Sequence, residues 1–160
     1  MSHLDHPTTP HAPAHNAKEP DEHTFRHSLP VQIRFNDVDR YGHVNNNSYF
    51  AYYDLGKEEY LRSVLRTDYR NAEVVPVIAH IEADFISPIF YGDEIAVQTR
   101  TAHIGQKSFT LEQRAINQKT GQVVCQCRTV MVCFNLRTQE SAEMPEAYRQ
   151  AISRCEQTGE

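Results

Sequence analysis

A regular pattern of hydrophobic and polar residues starts only near residue 28. Apolar residues occupy every second position of 28–35, which predicts a short strand. A polar loop over 36–47 follows. From Ser48 to about Leu65, tyrosines and other apolar residues recur every three or four positions, which predicts one long helix. We expect Ser48, or an asparagine just before it, to cap this helix.

Four further strands are predicted after the helix, over 77–87, 94–103, 107–117 and 122–136, with glycine-containing turns between them. In the first of them we expect Ala79, Ile81, Ala83 and Phe85 to face the interior. The last strand is apolar on both faces over its second half, which predicts cover on both sides. A short C-terminal helix is expected from Pro145 to about Glu156.

This order of elements indicates an α+β architecture: a five-stranded antiparallel sheet wrapped around one long central helix, with a short C-terminal helix. A helix of ~17 residues spans ~26 Å, which a curved sheet of this size can enclose. Such a sheet leaves one face and one edge without a partner. We therefore expect a homo-oligomer, either a homodimer or a homotetramer.

The 160 residues fit a single domain preceded by a tail. Residues 1–27 contain six of the nine histidines but few large apolar side chains, so the amino-terminal segment cannot bury enough surface to offset its ordering entropy. We predict a disordered tail over 1–24 and a folded domain over 25–160.

Charge and cysteine content exclude several classes of protein. The net charge of −5 comes without a dense basic block, which argues against nucleic acid as a partner. No run of ~18 apolar residues is present, so no membrane span is expected. The start of the chain lacks the pattern of a secretory signal. The four cysteines fit neither a disulfide framework nor a paired metal site, which indicates reduced thiols in a cytoplasmic protein.

The loop before the long helix holds the densest group of polar residues. Asp37, Asp39, His43 and three asparagines lie within eleven residues and lead into the helix amino terminus. Free N–H groups there can hold an anion or a developing oxyanion, and a nearby carboxylate can act as base or nucleophile. That pairing suits acyl transfer from an ester or thioester. Alternatively, the loop only orders the helix entry through Asx turns. A calcium loop is not expected, because Ser48 stands where the closing glutamate would be, and no metal site is predicted.

The ordered motif Arg34-Phe-x-Asp-x-Asp-x-x-Gly-His-Val-Asn-Asn-x-x-Tyr-x-x-Tyr, which ends at Tyr52, resembles the signature of hotdog-fold acyl-CoA thioesterases. The similarity is greatest to the 4-hydroxybenzoyl-CoA thioesterase-like group, and the predicted elements match that fold over about residues 27–156. The resemblance implies hydrolysis of an acyl-CoA thioester to a free acid and CoASH. It implies no cofactor, since coenzyme A is part of the substrate.

The resemblance also implies roles for the loop residues. Asp39 matches the family's catalytic carboxylate, as base or nucleophile, and Asp37 is expected to order the loop. The backbone N–H of Asn46 matches the group that polarises the thioester carbonyl. His43 is expected either to assist the base or position water, or to make a structural hydrogen bond. Asn45 is a predicted substrate contact.

Two further parts of the chain are implied to bind substrate. The tyrosines of the long helix, at 49, 52, 53 and 60, are expected to serve mostly in the core or an interface, with Tyr49 the predicted substrate contact in the acyl site. The family contacts coenzyme A phosphates near the turn between the third and fourth strands, where this chain has Lys107 and Ser108, with Arg100 and Arg128 on neighbouring strands.

Two other activities are compatible with the same fold, because one fold hosts many functions. A non-hydrolytic module that binds acyl-CoA or an acyl-carrier protein is the main alternative. A dehydratase acting on hydroxyacyl thioesters is a second, but the motif such enzymes use is not found.

Overall fold

A computed structural model describes residues 25–66 and 69–157 of the chain. The predicted tail over 1–24 lies outside the described residues. The elements in chain order are β1 His27–Val31, α1 Asn46–Leu65, β2 Val74–Phe85, β3 Ile95–Ile104, β4 Ser108–Asn117, β5 Val123–Asn135, β6 Glu140–Ser141 and α2 Glu146–Gln157.

The strands form one antiparallel sheet in the order β1-β3-β4-β5-β2, with the two-residue β6 paired to β5. This confirms the predicted sheet around one long helix and adds β6, which the sequence pattern does not predict. β1 ends at Val31, short of the predicted 28–35, because a 3-10 turn occupies Phe35–Asp37. The Asp37 carboxylate stabilises that turn by accepting the Arg34 amide, so the chain bends instead of continuing as a strand.

The long helix starts two residues before the predicted Ser48. Asn45 is its N-cap and accepts the Asn47 amide through its side-chain oxygen at 2.9 Å. The helix passes close to the sheet at Gly56. A Cβ there would lie 2.5 Å from Cγ1 of Val97, so only glycine permits this approach.

Two hydrophobic clusters fill the space between α1 and the sheet. The cluster at the start of the helix includes Val44, Tyr49, Tyr52, Tyr53, Ile95, Val97 and Cys125. The cluster at its end includes Tyr60, Leu61, Leu65, Phe109, Met131 and Ile152, and α2 contributes to it. The two ends of α1 therefore have separate packing environments, with about 30 Å of helix between its first and last residues.

The predicted inward face of β2 is less buried within one chain than expected. Ala83 packs against the cluster at the start of α1 and the Phe85 ring meets Tyr49 of α1, so these two residues do face the helix. Ala79, Ile81 and Phe85 are exposed, and only Ala83 of the predicted set is half-buried. The physical reason is position, since β2 is an edge strand that pairs only with β5, and a register shift between Ile78 and His80 interrupts its alternation.

The prediction for β5 holds for one face only. Its cysteines, Thr129 and Met131 pack under α1, whereas Val130, Val132 and Phe134 on the other face are half-buried. β5 is an interior strand between β4 and β2, but no other element among residues 25–66 and 69–157 fully covers its outer face. The outer face of the sheet is therefore the less protected of the two.

Candidate active site

A buried aspartate holds together the loop that precedes α1. The Asp37 carboxylate is 4% exposed, and it accepts the Arg34 amide at 2.8 Å and the Tyr52 hydroxyl at 2.7 Å. The Arg34 guanidinium lies 3.1 Å from its other oxygen. The Asp37 carbonyl accepts the Asn45 amide at 2.7 Å. Asp37 thus connects the segment that follows β1, the body of α1 and the start of α1.

Hydrogen bonding outweighs burial at this carboxylate. Burial by itself raises the pKa of Asp37, but the donated bonds from Tyr52 and Arg34 and the Arg34 charge bring the net pKa below its ordinary value. The pKa of the Tyr52 phenol is raised by its own burial and by the adjacent Asp37 carboxylate. Both groups therefore hold their ordinary forms at neutral pH, with Asp37 charged and Tyr52 protonated, which makes the pair a fixed anchor.

Asp39 opens a tight hairpin turn two residues later. Its amide donates to the His43 carbonyl at 2.8 Å, and its carbonyl accepts the Gly42 amide at 3.0 Å. Gly42 has φ +80, the left-handed conformation that closes a three-residue hairpin loop of this kind. The Asp39 side chain is half-buried and accepts the Tyr41 amide through Oδ1 at 2.8 Å. Among the described residues, none donates to its Oδ2.

The start of α1 has one uncommitted backbone donor. The Asn47 and Ser48 amides donate to the side chain and carbonyl of Asn45, at 2.9 Å and 2.8 Å. Asn46 is an exposed residue, and no acceptor within the described part of the chain bonds its amide. Helix amino termini carry partial positive charge, so this N–H is suited to receive a developing oxyanion.

The returning arm of the hairpin is fixed by the segment after β2. Val44 bridges Val38, and its amide donates to the Ile89 carbonyl at 2.8 Å. His43 bridges Phe90, and its ring meets the Phe90 ring edge-on at 5.1 Å. His43 is exposed. This backbone register explains why the turn, and with it Asp39, has a defined position.

The predicted substrate contacts of this region differ in exposure. Asn45 is exposed, but its side chain is occupied in capping α1. Tyr49 is 3% exposed within one chain and packs edge-on against Phe85 at 5.0 Å. Burial, the largest cause, raises the pKa of Tyr49 to about 12. Both substrate roles stay predictions.

The structure does not bring the predicted phosphate ligands to Asp39 within one chain. Lys107 and Ser108 lie at the turn between β3 and β4, where the Lys107 carbonyl accepts the Cys133 amide at 2.8 Å. Cys133 belongs to the cluster at the far end of α1. Arg100 and Arg128, the auxiliary candidates, pair with Glu112 and Glu82 on the sheet face that turns away from the helix.

Sequence reasoning misses the residues that support the loop. It assigns Tyr52 only a core or interface role, and Arg34 only a place in the motif. The periodic spacing of Tyr52 on α1 gives no sign of its hydrogen bond to a carboxylate fifteen residues earlier. The contacts of Ile89 and Phe90 with the hairpin arise from tertiary structure, and no local signal marks them.

Residues 25–66 and 69–157 offer little to other classes of site. No group of three or more histidine, cysteine, aspartate or glutamate side chains is placed there to hold a metal ion. No helix in these ranges is long and apolar enough to cross a membrane. Cys125, Cys127 and Cys133 are buried free thiols, and burial raises the pKa of Cys125 to about 11.

Comparison with known proteins assigns the family. The sequence-family model of the Thioesterase-like superfamily matches residues 33–152 of this chain. A solved thioesterase from Thermus thermophilus, complexed with coenzyme A and Zn, is 30% identical with a TM-score of 0.70 over 80% of this chain and 98% of that one. The chain therefore belongs to the Thioesterase-like superfamily, and its fold is the hotdog fold, as the motif predicts.

Two curated relatives indicate the chemistry found in this family. The 1,4-dihydroxy-2-naphthoyl-CoA hydrolase of Rippkaea orientalis is 27% identical over 132 residues, covering 78% of this chain and 93% of the relative. The long-chain acyl-CoA thioesterase FadM of Escherichia coli K12 is 23% identical over 123 residues, covering 76% and 93%. These relatives act on different acyl groups, so the family does not by itself define the substrate.

Proposed function

We propose that this protein hydrolyses an acyl-CoA thioester to a free acid and CoASH, with Asp39 as its catalytic carboxylate. The observation that carries the proposal is the juxtaposition at the loop. A carboxylate with an open oxygen starts a rigid hairpin, and that hairpin is tied through Asp37 to a helix start whose first amide is uncommitted among the described residues. Membership of the superfamily and the thioesterase relatives support the same reaction class.

The proposed reaction uses these two groups together. The thioester carbonyl oxygen accepts the Asn46 N–H, which stabilises the negative charge that develops there. Asp39 either removes a proton from a water molecule that attacks the carbonyl carbon, or attacks that carbon itself and is released by water. In both cases a C–O bond forms, the C–S bond breaks, and the thiolate of coenzyme A leaves and takes up a proton. His43, exposed beside the hairpin, assists by positioning water.

The proposed substrate site is shared between two chains. Within one chain the Asp39 loop packs near the start of α1 and the Lys107–Ser108 turn near its end, which favours a site that takes the two from different chains. We therefore propose a homodimer or a homotetramer in which one protomer supplies Asp39 and its partner supplies the phosphate-binding turn. The exposed apolar side chains on the edge strand β2, including Val77, Ile78 and Ile81, support such an association.

A cytoplasmic location accompanies this proposal. Cys125, Cys127 and Cys133 are free thiols buried among apolar residues, where they serve as small packing groups. Proteins with unpaired cysteines are typical of reducing compartments.

Thiol release from a panel of acyl-CoAs tests the proposal. The panel contains short, long and aromatic acyl groups, and wild type is compared with Asp39→Asn. We expect wild type to hydrolyse at least one member and Asp39→Asn to lose at least about a hundredfold in kcat, as removal of a catalytic base does. Circular dichroism and size-exclusion chromatography verify that both proteins are folded and equally assembled.

The outcomes separate the candidate functions. Equal hydrolysis by both proteins would exclude Asp39 from the mechanism. Binding of coenzyme A without turnover of any thioester would instead favour the non-hydrolytic module, in which the loop only holds the ligand.

A further inference from the structure

The turn between β3 and β4 is held from inside the protein by an arginine of the C-terminal helix. Nη2 of Arg149 donates to the Gly105 carbonyl at 2.9 Å, and the same nitrogen donates to the Gln106 carbonyl at 3.4 Å. The Gln106 carbonyl also accepts the Met144 amide, from the segment before α2, at 3.0 Å. Arg149 and this segment therefore fix the orientation of two successive peptide groups in the turn.

The fixed carbonyls determine where the N–H groups of the turn point. In a trans peptide group the carbonyl and the N–H point in opposite directions, and both groups here are trans. The Gln106 N–H shares its peptide group with the Gly105 carbonyl, and the Lys107 N–H shares its own with the Gln106 carbonyl. Both N–H groups therefore point away from Arg149.

The outward side of the turn is a set of donors. Gln106 and Lys107 are exposed, and neither backbone amide donates to an acceptor within residues 25–66 and 69–157. The Lys107 side chain adds a positive charge on the same exposed turn. Backbone N–H groups beside an ammonium group are a donor set suited to the oxygens of a phosphate.

Arg149 is itself held in place by α2. The Tyr148 hydroxyl donates to the Val74 carbonyl at 3.1 Å, and Ile152 is fully buried, so the helix is anchored on both sides of Arg149. The Arg149 side chain is 34% exposed. Glu146 lies 3.9 Å from its Nε, but that carboxylate is 69% exposed and largely solvated. The closest contacts of the guanidinium are therefore those with the turn.

The charge of Arg149 also acts on the peptide groups that it contacts. A carbonyl that accepts a hydrogen bond from a cation is polarised, and the N–H of the same peptide group then becomes a stronger donor. Arg149 thus fixes the direction of the Gln106 and Lys107 N–H groups and increases their strength as donors, from the opposite side of the turn.

We propose that Arg149 is a positioning residue for the substrate. It holds and polarises the turn so that the N–H groups of Gln106 and Lys107, together with the Lys107 ammonium group, bind a phosphate of coenzyme A. This inference rests on the proposed function, which uses the same turn to bind phosphate. Arg149 does not touch the substrate, and α2 becomes part of the substrate-binding apparatus in addition to packing against the cluster at the end of α1.

Binding of coenzyme A, measured by isothermal titration calorimetry, tests the inference without turnover. Arg149→Met keeps an apolar stem but removes the charge and every donor, and we expect the Kd for coenzyme A to rise at least about fivefold. Arg154→Met is the matched control, because it removes the same charge from an exposed position of the same helix. The control should bind within about twofold of wild type, since surface charges far from a phosphate are screened.

Hydrolysis of two thioesters with the same acyl group separates positioning from a structural role. One is the acyl-CoA, and the other is the N-acetylcysteamine thioester, which has no phosphate. For Arg149→Met we expect KM for the acyl-CoA to rise at least about fivefold with kcat within about twofold of wild type. Its kcat/KM for the N-acetylcysteamine thioester should stay within about twofold, whereas a merely structural defect would affect both substrates alike.

A conservative variant keeps the test valid if Arg149→Met disturbs α2. Arg149→Lys retains a cationic donor on a long stem, and we expect it to bind coenzyme A within about threefold of wild type. Circular dichroism and thermal unfolding verify that the variants are folded.

The outcomes distinguish this inference from the proposed function. Wild type that does not bind coenzyme A, equal binding by wild type and folded Arg149→Met, or equal losses on the two thioesters would overturn the role of Arg149. Hydrolysis that depends on Asp39 would survive any of these results. Conversely, binding of coenzyme A that depends on Arg149, without turnover of any thioester, would support the positioning role and contradict the proposed hydrolysis.

Discussion

The two ends of α1 each contain a tyrosine whose hydroxyl donates to a carboxylate, but the two pairs have different surroundings. At the start, Tyr52 donates to Asp37 at 2.7 Å, and Asp39 follows two residues later with an oxygen that no described residue bonds. At the end, Tyr60 donates to Glu156 of α2 at 2.5 Å. The tyrosine–carboxylate hydrogen bond at the start of α1 therefore supports an accessible loop. The one at the end of α1 joins α1 to α2.

The partners of the two carboxylates explain this difference. Glu156 also accepts the Thr101 amide at 2.9 Å, and the Tyr60 hydroxyl lies 2.8 Å from the Thr101 hydroxyl, so the pair connects α1, α2 and β3. Asp37 instead receives its other bonds from Arg34, within its own loop. Substitutions at the end of α1 should therefore affect stability alone, and those at the start should affect stability or catalysis according to which aspartate is changed.

Replacing the buried anchor should have the largest effect on stability. Asp37→Asn removes the charge that Arg34 and Tyr52 satisfy and leaves donors facing an amide, which we expect to cost about 2–3 kcal/mol. Urea unfolding monitored by circular dichroism measures the loss. A change below about 0.5 kcal/mol, the usual range of surface substitutions, would show that Asp37 does not anchor the loop.

The corresponding change at the far end should be somewhat smaller. Tyr60→Phe keeps the ring but removes the hydroxyl shared by Thr101 and Glu156, with an expected cost of about 1–2 kcal/mol. Thiol-release activity at a temperature where the variant is folded should stay within about twofold of wild type. Tyr41→Phe, at an exposed tyrosine, is the control for the substitution itself. A large loss of kcat in Tyr60→Phe would contradict the division between the two ends.

Two glycines in left-handed turns allow a matched comparison. Gly42→Ala and Gly121→Ala each force a side chain into positive φ with no steric contact nearby, at about 1 kcal/mol each. Gly42 closes the Asp39 turn, whereas Gly121 closes the turn between β4 and β5. We expect equal losses of stability in urea unfolding and a loss of kcat only in Gly42→Ala. Equal activities would indicate that the turn geometry does not position Asp39.

The smallest expected effects concern the pH dependence of stability, which should differ between the start of α1, near Asp37, and its end, near His27. The pKa of Asp37 is lowered in the fold, so its contribution is present above pH 3.8 and is lost as the pH falls below that value. Burial lowers the pKa of His27, whose ring meets that of Tyr60 edge-on, so its contribution is present above pH 6.5 and declines as the pH falls below it.

Urea unfolding between about pH 3 and pH 8 separates these two contributions. His27→Gln should flatten the decline that starts near pH 6.5, and Asp37→Asn should flatten the decline below pH 3.8. If both variants keep the wild-type profile, other groups must control the acid sensitivity.

Much of the fold is predictable because its elements have strong local signals. Alternation, helical spacing and glycine turns identify five strands and both helices, and the ordered motif identifies the family. The errors at element ends have local causes that the pattern does not show. Asn45 caps α1 earlier than Ser48, and the Asp37 turn ends β1 at Val31. The exposure of Ile81 depends on β2 being an edge strand, which is a property of the sheet order and not of the strand.

The candidate site is predictable only in part. The motif points to Asp39, His43 and Asn46 because they are close in sequence and adjoin a helix start. It cannot show that Tyr52 donates to Asp37, nor that Lys107 lies at the other end of α1, since both facts depend on how distant segments pack. Contacts within the loop can be predicted from the order of its residues. Contacts between distant segments depend on the three-dimensional packing.

The most direct test of the account measures unfolding free energy and thiol release together for Asp37→Asn and Asp39→Asn. We expect opposite results for these two aspartates, which are two residues apart in the sequence. Asp39→Asn should unfold within about 0.5 kcal/mol of wild type and lose hydrolysis, because its carboxylate is half-buried and accepts one hydrogen bond from the described residues. Asp37→Asn should lose stability and keep measurable turnover while folded. A destabilised Asp39→Asn that still hydrolyses thioester at the wild-type rate would contradict the account.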